Sequence, residues 1–295
     1  MGGKSGRARP MSSANMTGRI CLVTGGNSGI GKATAIGLAK MGATVVIVSR
    51  SREKGQMAVN DIIGKSGNTN VEIIQADMSS QNSIHEAADE FKARHEKLHV
   101  LINNAGVYLT KRTTTPDGFE STFAVNHLGP FLLTSLLLDI LKASAPSRIV
   151  NVTSDAHKGA KIDFDDLQGE KRFSGWQAYG QSKLAMILYT HELAKKLEGT
   201  GVTVNSAHPG LVRTNFAKNN GGLVMLGFRF LGMFFISPES AAKRILYVAM
   251  SPDLEGVTGK YFTKMHEVRS SQESYDNDSA KRLWQVSEQL TRLAS

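Results

Sequence analysis

Tyr179 and Lys183 stand four residues apart in "YGQSKLAMI", a stretch of helical character. Residues at that spacing are neighbours on one helix face. A free phenol has a pKa of about 10, too high for an efficient base near neutral pH. A nearby ammonium favours the phenolate and lowers that value, so the pair reads as a phenol prepared to move a proton. Ser154 closes the apolar run "SRIVNVTS" and supplies a hydroxyl at the carboxyl end of a strand. Open α/β sheets bind their ligands at that edge.

A second chemistry lies near the start of the chain. The run "RICLVTGG" leads into Thr24, Gly25, Gly26, Asn27, Ser28, Gly29, Ile30 and Gly31, where a helix opens. Glycines in such a turn let the backbone approach a pyrophosphate, and the helix N-terminus offers free N–H groups and a positive dipole end. The turn gains weight from its place, after a strand and before a helix.

The elements that must position these residues alternate regularly. "RICLVTGG", "ATVVIVSR", "NVEIIQAD", "HVLINNAG", "SRIVNVTS", "GVTVNSAHPG" and "VTGKYF" read as seven short buried strands. Between them lie amphipathic helical stretches, among them "SIHEAADEFKARHEKL", "GWQAYGQSKLAMILYTHELAKKLEG" and "PESAAKRILYVAM". This alternation predicts an α/β fold: one doubly wound, Rossmann-type parallel sheet of seven strands with helices on both faces. Residues 1–16 are expected to form a basic disordered tail and residues 17–295 a single domain. Two segments break the rhythm. "HKGAKIDFDDLQGEKRFSG" is polar and turn-rich. Residues 215–237 carry a dense apolar run, 221–236, with four glycines and Arg229. That run is short for a membrane span. It reads as a lid or wall over an apolar pocket, with ordinary core and peripheral membrane contact as the other readings.

Composition narrows the function classes. The 295 residues are 41% hydrophobic with 29 glycines, which is globular rather than disordered composition. A single cysteine, Cys21, sits in an apolar run, so no disulfide framework exists within the chain and a reducing, cytoplasmic setting is expected. The net charge is +9, with several bases in the first residues. That start has no apolar stretch, so neither a secretory signal nor a transmembrane anchor is expected. No basic helix or stacking motif accompanies the charge, and no nucleic-acid partner is expected. No metal is expected either.

The Thr-Gly-x-x-x-Gly-x-Gly spacing, followed in order by NNAG, Asn126, Ser154, Tyr179-x-x-x-Lys183 and Pro209-Gly210, resembles the short-chain dehydrogenase/reductase family from about Gly18 to Phe262. The resemblance implies a nicotinamide dinucleotide cofactor, with Gly25, Asn27, Ser28, Gly29, Ile30 and Gly31 forming its phosphate turn. An acidic residue at the end of the second strand would select against a 2′-phosphate. Here "VSRSREKG" puts Arg50 there, with Arg52 and Lys54 close behind. A planar, permanently charged guanidinium suits a phosphate, so NADP(H) is expected, with Arg50 as main selector and Lys54 and Asn27 as helpers. By the same resemblance Asp77 and the Met78 backbone would meet the adenine. Asn104, Ala105 and Gly106 would lie along the cofactor. Pro209, Gly210, Val212 and Thr214 would close over its nicotinamide end.

The implied catalytic set is Asn126, Ser154, Tyr179 and Lys183. Tyr179 would give a proton to a carbonyl oxygen or take one from an alcohol, Ser154 would bind the same oxygen, and Lys183 would bias the phenol and hold the cofactor's ribose. Pro130 stands four residues after Asn126 and has no N–H to give, so a helix there must kink. The freed Asn126 carbonyl is a place for a water leading to Lys183.

Within the family, "FAVNHLGPFLLT", the stretch from "DFDDLQGEKRFSG" through "VNSAHPG", and "RLWQVSEQL" resemble the retinol dehydrogenase-like subgroup. That implies a small lipophilic carbonyl or alcohol as substrate, such as retinal, an apolar aldehyde or a steroid, and an apolar run at 221–236 suits it. The chain departs from the subgroup in showing no N-terminal membrane anchor and in carrying Gly180 where many members have a larger residue. A protochlorophyllide-reductase-like enzyme, a non-enzymatic NADP(H) sensor and a membrane-surface interaction protein are the alternatives. Homo-oligomers are common in the family, and the apolar "LAMIL" face suits either such a contact or the core.

Overall fold

The central strands are apolar on both faces, and the side chains of successive residues leave in opposite directions. Cys21, Val23, Val45, Ile47, Val100 and Ile102 enter one core; Leu22, Val46, Val48 and Leu101 enter another. Continuous apolar runs of this kind belong to parallel strands covered on both sides. The computed structural model describes residues 15–212 and 236–293.

The strands are β1 (Ile20–Thr24), β2 (Thr44–Ser49), β3 (Val71–Gln75), β4 (Val100–Asn103), β5 (Ser147–Val152), β6 (Val202–His208), β7 (Tyr261–Thr263) and β8 (His266–Val268). They form one sheet in the order β3-β2-β1-β4-β5-β6-β7-β8. The first seven are parallel and β8 returns antiparallel to β7. The expected sheet is therefore present with one strand more than the seven expected. The turn before β8 is Lys264-Met265, both at positive φ (50° and 65°). Asn-Gly would have announced such a hairpin; Lys-Met does not.

Helices α1 (Gly29–Lys40), α2 (Arg52–Ser66) and, late in the chain, the helix Pro238–Met250 cover the first core through Leu38, Ile62 and Ile245. Helices α3 (Gln81–Arg94), α5 (Gly129–Leu136) and α7 (Gly175–Lys196) cover the second through Phe91, Phe131 and Tyr189. The short α4 (Ser121–Phe123) and α6 (Leu138–Ala143) flank α5, and Pro238–Met250 is α8. Each fully buried Leu, Ile or Phe contributes about 1.5–3 kcal/mol. Helix α9 (Asn277–Leu290) lies on α5 and α7, with Trp284 stacked on Tyr189 (5.8 Å) and edge-on to Phe131 (5.0 Å). All of Leu184–Leu188 is buried within the chain, which settles the "LAMIL" face as core.

Packed structure is already present at Met16, which is buried and donates its N–H to Met41 O (2.8 Å). Of the apolar run 221–236, residues 221–235 lie outside the described residues, as do Thr214 and most of the expected lid 215–237. Among the described residues no helix is long and apolar enough to cross a membrane. Cys21 is fully buried, and burial pushes its thiol up to about 12, so it is chemically quiet.

Candidate active site

The turn after β1 is built by close approach. Gly25 has φ +66°, and a Cβ on Gly31 would stand 2.4 Å from Gly25 O and 2.5 Å from Asn104 Nδ2. Only hydrogen fits there. Helix α1 starts at Gly29, and its N-cap Ser28 makes no side-chain cap bond. The first-turn N–H groups and the positive dipole end thus suit an anion. Asn27 is half-exposed and Ile30 packs on the first core.

The ends of β1 and β4 are latched together by Thr24, which the sequence shows only as the first residue of the glycine turn. Thr24 Oγ1 accepts from the N–H groups of Asn104 and Ala105 (both 2.9 Å), and Asn104 Nδ2 donates to Thr24 O (2.8 Å). The Asn104 side chain is thereby committed to the scaffold under the turn.

Arg50 follows β2 with its side chain 78% exposed, and its guanidinium stands 3.9 Å from Asp77 Oδ2. Gly26 N–H donates to Val48 O (3.3 Å), which brings the turn to the same sheet edge. Lys54 is exposed in the first turn of α2, and its N–H is capped by Ser51 (3.2 Å). Asp77 uses Oδ1 to accept from Ser79 N–H (2.9 Å) and hydroxyl (2.7 Å), so its carboxylate is already fixed. Met78 is buried, with its carbonyl 2.7 Å from where a Gly129 Cβ would stand.

The Pro130 kink takes the form of a π-helical turn, Ala124–Leu128, in which Gly129 N–H reaches back five residues to Ala124 O. Such turns concentrate at functional sites. This one aims the buried Asn126 inward. Asn126 Oδ1 accepts from Val107 N–H (2.8 Å), while Nδ2 donates to Val107 O (3.0 Å) and to Ser182 Oγ (2.9 Å). One amide therefore ties the β4 loop, the π-turn and α7.

Ser154 lies just past β5 in extended conformation, its hydroxyl accepts from Ala156 N–H (3.2 Å), and it acts on the Tyr179 phenol to lower its pKa. The half-buried Tyr179 ring stands edge-on to Tyr108 (5.7 Å) and tilted to Trp176 (6.4 Å). Lys183 is buried, donates to Val152 O (3.2 Å), and holds its ammonium 5.5 Å from the Tyr179 ring centroid. The expected lowering of the phenol by Lys183 is not what the protein's own groups produce. Burial pushes the phenol up to about 12 against the opposing Ser154 hydrogen bond, and burial pulls Lys183 down to about 8. Desolvation is the largest cause in both groups.

These groups fit a ligand with phosphates at one end and a flat ring at the other. Besides the phosphate turn, a Cβ on Gly106 would fill a cradle 3.2 Å from Asn126 Oδ1 and 3.5 Å from Lys183 Nζ. Beyond β6, Arg244 donates to Pro209 O (3.1 Å), Gly210 has φ +98°, and Val212 bridges to Ile236. Arg244, on α8, is a brace that its place in an amphipathic helix did not single out.

Gly180 is explained by contact. A Cβ there would stand 2.9 Å from Ala156 O and 3.3 Å from the Ala160 methyl, so α7 closes on the loop after Ser154. Gly180 also lines a cavity of about 420 Å³ together with Ala156, Phe173, Trp176 and Gln181. Ser154 and Tyr179 are not part of its wall. The cavity lies beside the cluster of Ser154, Tyr179 and Lys183, sharing Ala156, Ala178 and Gly180 as walls.

A model of the short chain dehydrogenase family matches residues 19–222. Retinol dehydrogenase 13 of Mus musculus is 45% identical over 289 residues, covering 96% of this chain and 86% of its own. Among solved structures, an uncharacterised protein from Mycobacterium paratuberculosis superposes with a TM-score of 0.79 at 33% identity, covering 97% of this chain and 98% of its own. The Pseudomonas aeruginosa RhlG/NADP complex gives 0.69 at 27% identity, over 86% and 96%. With an ordered set of glycine turn, Asn126, Ser154, Tyr179 and Lys183 on one sheet edge, the chain belongs to the short-chain dehydrogenase/reductase family and to its retinol dehydrogenase-like subgroup.

Proposed function

We propose that this oxidoreductase is a single NADP(H)-binding catalytic domain that interconverts a lipophilic carbonyl and its alcohol, with Tyr179 as general acid and base. The observation that carries the reading is the Lys183 ammonium held 5.5 Å from the Tyr179 ring centroid, with Ser154 just past β5 acting on the same phenol. Gly25, Ser28, Gly29 and Gly31 would hold the pyrophosphate, Arg50 with Lys54 and Asn27 the 2′-phosphate, and Lys183 the ribose. When bound, the nicotinamide supplies or accepts the hydride.

Arg50 supports NADP(H) because its exposed guanidinium stands at the end of β2, where a carboxylate would repel a 2′-phosphate. A phenol at about 12 is protonated at neutral pH, so Tyr179 stands ready to donate to a carbonyl oxygen. Ser154 orients that oxygen by sharing its hydrogen bond. Lys183, at about 8, carries its charge at pH 7. The Asn126 carbonyl, denied its usual partner by Pro130, offers a water a place on a path to Lys183. The retinol dehydrogenase relatives support a retinal-like or other apolar substrate.

The test is consumption of NADPH, with NADH alongside, against retinal, medium-chain aldehydes, steroid ketones and quinones. Turnover of apolar carbonyls with NADPH preferred is expected. Preference for NADH removes the role given to Arg50, and no turnover of any apolar carbonyl removes the substrate class.

A further inference from the structure

His157, three residues beyond Ser154, is fully buried in the short helical turn Asp155–His157. Both ring nitrogens are engaged. Nε2 faces the Ser271 N–H at 3.1 Å, and Nδ1 faces Ser154 O at 2.7 Å. A backbone N–H only donates, so Nε2 must be the acceptor and unprotonated. The ring proton therefore sits on Nδ1 and donates to the Ser154 carbonyl. Burial holds the imidazole below its ordinary pKa, which favours this neutral form.

The backbone of Ser154 is thus held from two sides. Its carbonyl accepts from His157 Nδ1–H and from His157 N–H (3.2 Å), and its hydroxyl accepts from Ala156 N–H (3.2 Å). The ring is walled by Tyr261, edge-on at 5.0 Å, whose hydroxyl donates to Asp155 Oδ1 (2.8 Å). Ser271 belongs to a segment that is itself tied to α7, since His191 Nδ1 meets Ser274 O at 2.8 Å. The ring therefore connects Ser154 to the helix that carries Tyr179.

We propose that His157 is a positioning residue for catalysis: its Nδ1–H fixes the Ser154 peptide so that the hydroxyl meets Tyr179 and the substrate oxygen in one orientation. This rests on the reading of Ser154 and Tyr179 given above. Small displacements of a reacting group cost on the order of 100-fold in rate, so the ring matters without touching substrate.

The two amide replacements divide its functions. His157→Asn keeps a donor near the Nδ1 position and loses the acceptor for Ser271. His157→Gln keeps an acceptor near the Nε2 position and loses the donor to Ser154. Both lose one buried hydrogen bond, so both should lower Tm by comparable amounts. The experiment measures kcat, KM for NADPH, and Tm for both variants, each also combined with Ser154→Ala. We expect His157→Asn to keep kcat within a few-fold of the parent and His157→Gln to lose about 10- to 100-fold, with KM for NADPH little changed. With Ser154→Ala in place, the two should become equal. Equal kcat for Asn and Gln in the parent, or an undiminished difference after Ser154→Ala, overturns the proposal. Near-parental activity of Ser154→Ala alone overturns instead the reading on which it rests.

Discussion

The ammonium of Lys183 lies 5.5 Å from the ring centroid of Tyr179, yet the Tyr179 phenol stands at about 12. Proximity to a positive charge has not made this tyrosine acidic. Lys183 is buried and Tyr179 half-buried, and each is pushed toward its neutral form by loss of solvent. At neutral pH the Tyr179 phenol therefore carries its proton.

Arg50 sets cofactor choice in this account. Charge-assisted hydrogen bonds contribute about 1.5–3 kcal/mol, equivalent to about 10- to 150-fold. Arg50→Glu should lower kcat/KM for NADPH by that order and leave NADH unchanged or improved. Equal losses with both cofactors would show that Arg50 does not read the 2′-phosphate.

Gly180 tests the close approach of α7 to the Ser154 loop. Gly180→Ala places a methyl about 2.9 Å from Ala156 O, backbone that is held by the turn after Ser154. Overpacking of this kind costs about 1–3 kcal/mol, and the displaced loop should lower kcat as well as Tm. A Tm and kcat both within error of the parent would show that the loop yields freely.

His127 gives the protein an acid-side weakness. It is fully buried, meets Ser287 Oγ at 2.8 Å, and burial holds its pKa at about 3 against an ordinary 6.5. Below pH 6.5 the unfolded chain takes up a proton that the folded chain refuses, so stability falls as pH drops from 6.5 toward 3. Each unit costs about 1.4 kcal/mol for one such group. Urea unfolding at pH 7, 6 and 5 should show His127→Gln with a shallower fall than the parent. Parallel falls would place the acid sensitivity elsewhere, His208 at about 4 being the next group.

Much of the fold was legible because parallel strands buried on both faces leave continuous Val/Ile runs, as in "TVVIVS". Strand β8 was not, since a three-residue, mostly exposed strand after a Lys-Met turn carries neither periodicity nor turn chemistry. In the site, Gly25, Asn126, Ser154, Tyr179 and Lys183 were visible as an ordered series. The latch made by Thr24, and the roles of Ser182 and Arg244, were not, because such contacts act through partners far away in sequence, 80 residues away for Thr24 and Asn104. The sign of the Tyr179 shift was also beyond the sequence. It depends on how much water the fold removes from the hydroxyl, and spacing alone records only that a lysine is near.

The most direct measurement compares the parent protein with Tyr179→Phe in NADPH-dependent reduction of an apolar aldehyde, alongside Tm and NADPH fluorescence titration. General acid catalysis by a positioned side chain contributes about 100- to 10,000-fold. The account predicts an unchanged Tm to within a few degrees, retained NADPH binding, and a loss in kcat of that order. A Tyr179→Phe protein that binds NADPH and turns over at near-parental rate would contradict it.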